Sequence, residues 1–335
     1  MAAFLFKNEK TENEMIPIHN TFGIEVKAKN YIEYSSEDEL IKLIPSLRGT
    51  SCFHVGGGSN LLFTRDFDGT ILHSAIRGIE VNGDLVRVGA GVVWDEFVEW
   101  TVQNGWSGVE NLSLIPGEVG ASAVQNIGAY GVEAKAVIER VECIDLTDGS
   151  SRVFTNAECK YSYRQSIFKN EVRGRYAVTY VTYRLSRTFT PRLDYGNICA
   201  SLPADTEVTP RLVRDTIIGI RRAKLPDPDV QGNAGSFFMN PVVSRDQFLQ
   251  IQAQYPQMPY YEVEGGVKIP AGWMIEQCGW KGKALGKAAV HDRQALVLVN
   301  LGGATGTDIL SLCNAIRQSV HEKFNIDIHP EVNIL

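Results

Sequence analysis

The chain has 335 residues, 44% of them apolar and 21% charged, and its formal net charge is −6. This length predicts two or three domains with well-buried cores. The negative charge argues against a general nucleic-acid binder and against a protein held electrostatically on a membrane surface.

Several classes of protein are disfavoured by motifs that the sequence lacks. The six cysteines include no CxxC pair, and no Cys/His cluster has the spacing of a zinc site. We therefore expect reduced thiols and no metal. No apolar run approaches about 18 residues, and the first 15 residues do not form a signal-peptide pattern, so the predicted location is the cytoplasm.

Five segments have the capping residues and the apolar periodicity of helices. They are residues 35–47, 94–106, 209–229, 244–251 and 307–324. Ser36 and Thr209 are predicted N-caps, and Ser244 forms a predicted capping box with Gln247. The third helix must end by Pro226, because proline interrupts the hydrogen bonding of a helix.

Short strands alternate with these helices. Residues 52–55 are one strand, a hairpin turns at Asn-Gly 82–83, and 137–155 contain two strands joined by an Asp-Gly turn. Residues 175–186 alternate between apolar and polar side chains, which predicts a half-buried strand. The irregular mixture favours α+β modules, with breaks near residues 70 and 226, over a barrel or one doubly wound sheet.

The segment HVGGGSNLL (54–62) follows the first of these strands. Its glycine triplet leaves backbone N–H groups free to converge on an anion. The segment is not the GxGxxG dinucleotide fingerprint, because no third glycine follows and the next residues resemble a strand. A tight turn without a ligand is the alternative reading.

A second glycine-rich segment, IPGEVGASAVQNIGAYGVE (115–133), contains four glycines and few charges. A surface loop of this length would carry more charged residues and prolines. The small residues suggest backbone packed against a large flat ligand, and a tightly packed interdomain crossover is the alternative. Together the two segments favour a dinucleotide with a pyrophosphate, bound without a Rossmann motif.

These segments resemble the UDP-N-acetylenolpyruvoylglucosamine reductase family. The similar motifs, in chain order, are GGGSN (56–60), IPGEVGASAVQNIGAYGVE (115–133), YRQSIFK (163–169), KLPDP (224–228), GNAGSFFMNP (232–241) and HPEV (329–332). The resemblance extends from residue 19 to the C-terminus. LDYGNI (193–198) resembles the tyrosine loop of the family's type I branch.

The resemblance implies an α+β fold in which a two-part FAD-binding module of the vanillyl-alcohol-oxidase (PCMH-type) kind precedes a C-terminal α+β substrate-binding domain. The implied parts are FAD-binding subdomains over 1–70 and 71–225, a substrate-binding domain over 226–325, and a tail over 326–335 that returns to the active site. The resemblance further implies noncovalent FAD, NADPH as co-substrate, and a monomeric enzyme of the bacterial cytoplasm without nucleic-acid or membrane partners.

The implied reaction reduces UDP-N-acetylglucosamine enolpyruvate to UDP-N-acetylmuramate in peptidoglycan synthesis. Hydride passes from flavin N5 to the vinyl carbon, and Ser236 protonates the neighbouring carbon. Arg164 matches the arginine that binds the substrate carboxylate, since a guanidinium fork fits a carboxylate. Glu331 matches a second group that stabilises the enolate, and it can help only as a protonated donor.

The resemblance also assigns binding residues. The substrate residues are Tyr163, Tyr195, Lys224, Asn240 and Gln294. The expected FAD contacts are Gly56, Gly57, Gly58, Ser59 and Asn60 at the pyrophosphate, with Gly117, Gln125, Asn126, Ile127 and Gly131 at the ring and backbone. Glu118 departs from expectation, because an acidic residue near a phosphate must point away from it.

Two other functions remain possible at this stage. One is an FAD-dependent oxidase or dehydrogenase of the same fold, which would not need the Ser236 loop. The other is a nucleotide-sugar or flavin carrier without catalysis. The combination of Ser236, Arg164 and Glu331 favours the reductase over both.

Overall fold

A computed structural model describes residues 15–204 and 206–335. The predicted lack of a signal peptide concerns the first 15 residues, which lie outside the described part of the chain apart from Met15. Within the described residues, no helix is both long and apolar enough to cross a membrane.

The N-terminal part forms a four-stranded sheet covered by one helix. In spatial order its strands are β1 (Ile16–Pro17), β2 (Lys27–Tyr34), β5 (Phe67–Ser74) and β3 (Cys52–His54). Helix α1 (Glu37–Leu47) begins at Ser36, whose hydroxyl accepts the Glu39 N–H, as predicted. Strand β5 crosses residue 70, where the sequence suggested a domain break.

The second sheet is antiparallel, and its spatial order is β11, β10, β12, β7, β6. Its strands are β6 (Ile79–Asn82), β7 (Leu85–Gly89), β10 (Ile138–Asp145), β11 (Ser151–Thr155) and β12 (Tyr176–Arg184). The prediction that β12 is half-buried is wrong, because eight of its nine residues are not exposed and six of them are fully buried. Ala177 joins the core of α1, whereas Val181 and Tyr183 join the next core, so both faces are covered.

That next core lies under two helices and a small hairpin. They are α2 (Trp94–Gln103), α3 (Val119–Gln125) and the strands β8 (Gly128–Ala129) and β9 (Val132–Glu133). Three 3₁₀ turns accompany them at Glu110–Leu112, Ala134–Ala136 and Ile167–Lys169. Phe97, Val98 and Thr101 form the buried face of α2, as the periodicity predicted.

Two helices lead to the C-terminal part. They are the short α4 (Ile198–Ser201) and the longer α5 (Pro210–Lys224). The Thr209 hydroxyl accepts the Leu212 N–H, and the helix ends before Pro226, so both predictions are confirmed.

The C-terminal part contains two small antiparallel sheets and three helices. One sheet has the order β13 (Asn233–Ser236), β19 (Val297–Asn300), β18 (Ala288–Val290), β17 (Ala284–Leu285), and the other has β14 (Val242–Val243), β16 (Gly266–Lys268), β15 (Tyr261–Val263). The helices are α6 (Arg245–Gln254), α7 (Ala271–Gln277) and α8 (Gly306–Phe324). Only half of the predicted capping box forms, because the Gln247 side chain donates to the Asn325 carbonyl instead of reaching back.

Residues near the two ends of the described chain connect the N-terminal and C-terminal parts. Strand β4 (Leu61–Leu62) pairs in parallel with β20 (Asn333–Ile334) in the tail. Phe22 packs edge-on against Phe237, with their ring centres 6.2 Å apart, and belongs to the C-terminal core. The tail therefore lies against the glycine-rich segment that follows β3.

Candidate active site

The two glycine-rich segments are in direct contact. A Cβ atom at residue 57 would lie 3.4 Å from the Gly117 Cα, and one at residue 117 would lie 3.2 Å from the Ser59 Oγ. Gly117 also has a φ of 108°, which side chains disfavour. Backbone from both segments thus lies at one place, as a pyrophosphate-binding turn requires.

Asn60 connects these segments to the C-terminal tail. Its Nδ2 donates to the Gln125 Oε1 at 2.7 Å, and its carbonyl accepts the Asn333 N–H at 3.1 Å. Two predicted FAD contacts from different segments, Asn60 and Gln125, are therefore brought together. They lie beside the backbone of the tail that carries Glu331.

The Asn126 side chain makes hydrogen bonds within the protein. It is fully buried in a left-handed conformation, with φ 45°. Its side chain donates to the Ser162 carbonyl at 2.8 Å and accepts the Lys135 N–H at 2.9 Å. Its side-chain amide is therefore engaged within the protein, and its backbone N–H donates to the Ser122 carbonyl.

Arg164 and Glu331 form an ion pair, although 167 positions separate them in the chain. The Arg164 Nε donates to the Glu331 Oε1 at 2.9 Å, and a terminal nitrogen of the guanidinium donates to the Gly128 carbonyl at 2.5 Å. A Cβ atom at residue 128 would lie 2.7 Å from the other terminal nitrogen, so only glycine leaves room for this arrangement. Arg164 itself has a φ of 57°, an uncommon conformation for a non-glycine residue and one often found at functional sites.

Burial raises the pKa of Glu331, and the nearby positive charges of Arg164 and Lys169 only partly oppose this rise. Lys169 is itself partly buried, which lowers its pKa, and its ammonium donates to the Arg164 carbonyl at 3.1 Å. Burial thus shifts Glu331 toward its protonated form relative to a free carboxyl, and the protonated form is the state that a donor to an anionic intermediate needs.

Ser236 lies next to this pair through paired backbone. It ends β13 opposite Val297, and the following residue, Phe237, accepts the Glu331 N–H at 2.8 Å. Phe237 and Phe238 are buried, whereas Ser236 is exposed. The loop therefore presents a hydroxyl at the surface of an apolar base, close to Glu331.

Part of the predicted substrate set gathers beside Arg164. Its guanidinium lies 5.3 Å from the centre of the Tyr163 ring, and Tyr195 stacks on Tyr261 with ring centres 5.5 Å apart. The Lys268 ammonium lies 5.0 Å from the Tyr163 ring and 5.7 Å from the Tyr261 ring. Burial raises the pKa of Tyr195 to about 12, so its hydroxyl stays protonated at neutral pH.

The other predicted substrate residues are farther apart. The Asn240 Oδ1 accepts the Ala271 N–H at 2.9 Å, and the Gln294 Oε1 accepts the Leu296 N–H at 3.3 Å. Lys224 is exposed as the last residue of α5, as predicted from its position before Pro226. Asn240 adjoins the Arg164 cluster through its backbone, which hydrogen-bonds the Tyr163 side chain, whereas the Gln294 hydrogen bond lies within its own loop.

Sequence reasoning missed Tyr261, Lys268 and Arg221. The first two lie in a plain hairpin that gave no motif. Arg221 is half-buried, desolvation lowers its pKa, and its enclosed Nε has no hydrogen-bond partner among the described residues. A helical arginine usually faces solvent. The burial of the Arg221 Nε becomes apparent only in the structure, where Arg221 lies beside Tyr130.

The residues present fit FAD. A side chain at residue 57 or 117 would crowd the place where the two glycine-rich segments meet, and the Nε of Arg221, unpaired among the described residues, is a buried donor beside Tyr130 of the second segment. By contrast, no group of three or more His, Cys, Asp or Glu side chains within 15–204 and 206–335 could hold a metal ion.

Two family models match the chain. Residues 28–155 match the model described as an FAD binding domain, and residues 227–335 match the C-terminal domain of UDP-N-acetylenolpyruvoylglucosamine reductase. With the glycine-rich site, these matches define the class: the chain is an FAD-dependent oxidoreductase with an α+β fold, and both expectations are confirmed.

Relatives extend the match over the whole chain. A UDP-N-acetylenolpyruvoylglucosamine reductase of Bacteroides fragilis is 62% identical over 95% of this chain and 97% of its own length, and one of Porphyromonas gingivalis is 48% identical over 94% and 96%. The crystal structure of UDP-N-acetylenolpyruvylglucosamine reductase from Thermus caldophilus has the same fold, with a TM-score of 0.68 at 22% identity, covering 96% of this chain and 98% of that one. The chain belongs to the UDP-N-acetylenolpyruvoylglucosamine reductase family, whose reaction serves peptidoglycan precursor synthesis.

Proposed function

We propose that the chain reduces the enolpyruvyl ether of UDP-N-acetylglucosamine enolpyruvate to UDP-N-acetylmuramate, with NADPH as the source of electrons. The observation that supports this most directly is the Arg164–Glu331 pair, formed where both glycine-rich segments meet the tail. The relatives named as this reductase match the chain over nearly its full length.

Arg164 binds the carboxylate of the enolpyruvyl group. Its guanidinium is held at Nε by Glu331 and at one terminal nitrogen by the Gly128 carbonyl, so its position is fixed before substrate arrives. A fixed cation stabilises negative charge without reorganisation when that charge develops. Hydride addition at the vinyl carbon creates such charge, spread from the neighbouring carbon into the carboxylate.

Ser236 then donates its proton to that neighbouring carbon. A hydroxyl is a weak acid in water, but the buried Phe237 and Phe238 beneath it and the enclosed substrate would exclude solvent. Glu331, in its protonated form, donates a hydrogen bond to the enolate while Arg164 holds the carboxylate. Tyr163, Tyr195, Lys224, Asn240 and Gln294 are proposed to hold the UDP-sugar.

FAD, when bound, accepts hydride from NADPH and supplies it to the enolpyruvyl carbon. The residues proposed to hold it are Gly56, Gly57, Gly58, Ser59 and Asn60 at the pyrophosphate, and Gly117, Gln125, Ile127, Gly131 and the backbone of Asn126 along the ring. NADPH and the sugar nucleotide use one pocket in turn, which predicts ping-pong kinetics. We propose that the enzyme acts as a monomer.

The proposal is tested by separating the two half-reactions. Anaerobic Ser236→Ala enzyme is mixed first with NADPH and then with UDP-N-acetylglucosamine enolpyruvate, while flavin absorbance is followed. We expect NADPH to bleach the flavin at the normal rate. The reoxidation step should be slower by about 10²- to 10⁴-fold, which is the rate factor that a positioned general acid contributes. Ser311→Ala is the matched control, because Ser311 is an exposed serine of α8 that bonds only the Thr307 carbonyl.

Equal slowing of both half-reactions would show that Ser236 is not the acid. If the wild-type flavin is bleached but does not recover when the enolpyruvyl substrate is added, the result would instead favour an FAD-dependent oxidase or dehydrogenase. A control variant as slow as Ser236→Ala would point to a general effect on the C-terminal part.

A further inference from the structure

Glu118 carries a negative charge to the edge of the proposed pyrophosphate site. It directly follows Gly117, only 9% of its surface is exposed, and a Cβ atom at residue 56 would lie 3.1 Å from its Oε2. Gly56 is a proposed pyrophosphate contact. An uncompensated carboxylate at this distance from a diphosphate would oppose FAD binding.

His73 on β5 contacts this carboxylate. Its Nε2 lies 2.9 Å from the Glu118 Oε1, and its Nδ1 lies 2.9 Å from the Glu33 Oε2 on β2. A neutral imidazole has one N–H, whereas an imidazolium has two. With a carboxylate oxygen at each nitrogen, both contacts are hydrogen bonds when the ring is the imidazolium.

The protonation of His73 follows from two opposing effects. Burial disfavours its charge, but hydrogen bonds and attraction from Glu118 and Glu33 outweigh burial, so the pKa of His73 lies above its ordinary value. His73 thus gains positive charge from the same carboxylate whose charge it offsets.

Apart from Glu33, the other titratable groups around His73 and Glu118 are neutral at physiological pH. Burial raises the pKa of Tyr31 to about 12 and that of Tyr34 further still. The Tyr34 hydroxyl lies 3.2 Å from the His54 Nε2, and burial with the nearby His73 charge lowers the pKa of His54 to about 4. His73 is therefore the group of this cluster that can offset the charge of Glu118.

We propose that His73 is a positioning residue of the cofactor site: held between Glu33 and Glu118, it neutralises Glu118 and orients its carboxylate toward β5, so that the FAD pyrophosphate can lie against Gly56 and Gly57. The inference rests on the proposed placement of the pyrophosphate. FAD binding is then linked to the proton on His73. As the pH rises through the pKa of His73, Glu118 loses its cation and the enzyme releases FAD more readily.

The test measures FAD affinity directly. Holoenzyme is diluted serially between pH 6 and 9, and the fluorescence of released flavin gives the Kd. For His73→Gln we expect a Kd about 10-fold higher at pH 7, because a cation beside a dianionic group is lost. Glu118→Gln removes the repulsion, so it should bind FAD at least as tightly as the wild type and without dependence on pH.

The double variant His73→Gln/Glu118→Gln separates charge from packing. We expect its Kd to return to within about 3-fold of the wild type, since the unpaired carboxylate is gone. His321→Gln is the matched control, because His321 lies exposed in the last turn of α8 and pairs with Asp327 at 3.0 Å. Its Kd should not change.

The inference is overturned if His73→Gln binds FAD as the wild type does, or if the double variant is no better than His73→Gln alone. Should His73→Gln fail to fold, the pH profiles decide: a wild-type Kd that does not rise with pH, or a rise that persists in Glu118→Gln, excludes the link. Recovery of bleached wild-type flavin by the enolpyruvyl substrate tests the reductase proposal separately, so the two can fail independently.

Discussion

Two ion pairs in this molecule each join an arginine to a carboxylate, but their geometries differ. Arg214 on α5 donates from both terminal nitrogens to both oxygens of Asp95 on α2, at 2.6 and 2.9 Å, and its side chain is only 5% exposed. Arg164 contacts Glu331 through a single bond from Nε, and these side chains are 17% and 15% exposed.

The difference separates a structural pair from one that we propose to be functional. Asp95 also accepts the Leu114 N–H, so its two oxygens and the guanidinium fork are fully engaged in joining two helices. Glu331 contacts only the Nε of the Arg164 guanidinium, and only one of the two Glu331 carboxylate oxygens takes part in the pair. An arginine that must receive a substrate carboxylate needs this incomplete pairing.

The largest expected effect breaks the functional pair. Arg164→Met should slow flavin reoxidation by the enolpyruvyl substrate about 10³-fold, because the cation that stabilises the developing charge is lost. Stability should change by less than about 1 kcal/mol, because burial already raises the pKa of Glu331 and an unpaired carboxyl there can take up a proton instead of remaining charged.

Stopped-flow reoxidation and urea unfolding give the two quantities, with Arg211→Met as control because Arg211 is an exposed arginine paired with Asp215. An unchanged reoxidation rate would remove Arg164 from the substrate site.

The next effect breaks the structural pair. Arg214→Met should lower the free energy of unfolding by about 3 kcal/mol, because it leaves Asp95 partly buried without its cation. Urea unfolding measures this change. Reoxidation of the variant, assayed well below its unfolding midpoint, should match the wild type, and a loss of rate comparable to that of Arg164→Met would contradict the distinction between the pairs.

The smallest effect concerns pH. The pKa of Glu331 is raised above its usual 4.5, so the folded state favours the protonated carboxyl. The stability that this proton contributes is complete below pH 4.5 and is lost as the pH rises through the raised pKa. The reoxidation rate should fall as the pH rises through the same raised pKa, by up to about tenfold per pH unit, because the donor is lost.

Glu331→Gln keeps a donor that does not titrate. Its reoxidation rate and its stability should both lose this pH dependence, which stopped-flow and urea titrations across pH 5 to 9 can measure. A decline that persists in Glu331→Gln belongs to another group.

Local signals in the sequence predicted five of the eight α-helices in the described residues and the strands of the second sheet. Ser36 and Thr209 cap helices because a hydroxyl next to free N–H groups needs no distant partner. The capping box at Ser244 was only half right, because Gln247 found a better acceptor 78 residues away at Asn325. Strand β12 was judged half-buried because its alternation is local, whereas the helices that cover both of its faces come from other parts of the chain.

Glu118 shows, within the candidate site, that local signals do not predict contacts with remote parts of the chain. Its sequence position near a phosphate-binding turn raised a conflict that no local rule resolves. The structure places His73 against it from β5, 45 positions earlier in the chain. Lys268 and Tyr261 were missed for the same reason, since an ordinary hairpin gains a role only by facing Tyr163 and Tyr195.

The sequence by itself determined the helices and turns, the glycine-rich backbone of the cofactor site and, through its motifs, the family. Those features depend on the conformational preferences of neighbouring residues and on the order of short segments. Only the tertiary structure decided that Arg164 meets Glu331, that the Asn126 side chain bonds within its own part of the protein, and that His73 lies against Glu118. Each depends on distances between residues remote in the chain, and long-range packing fixes those distances.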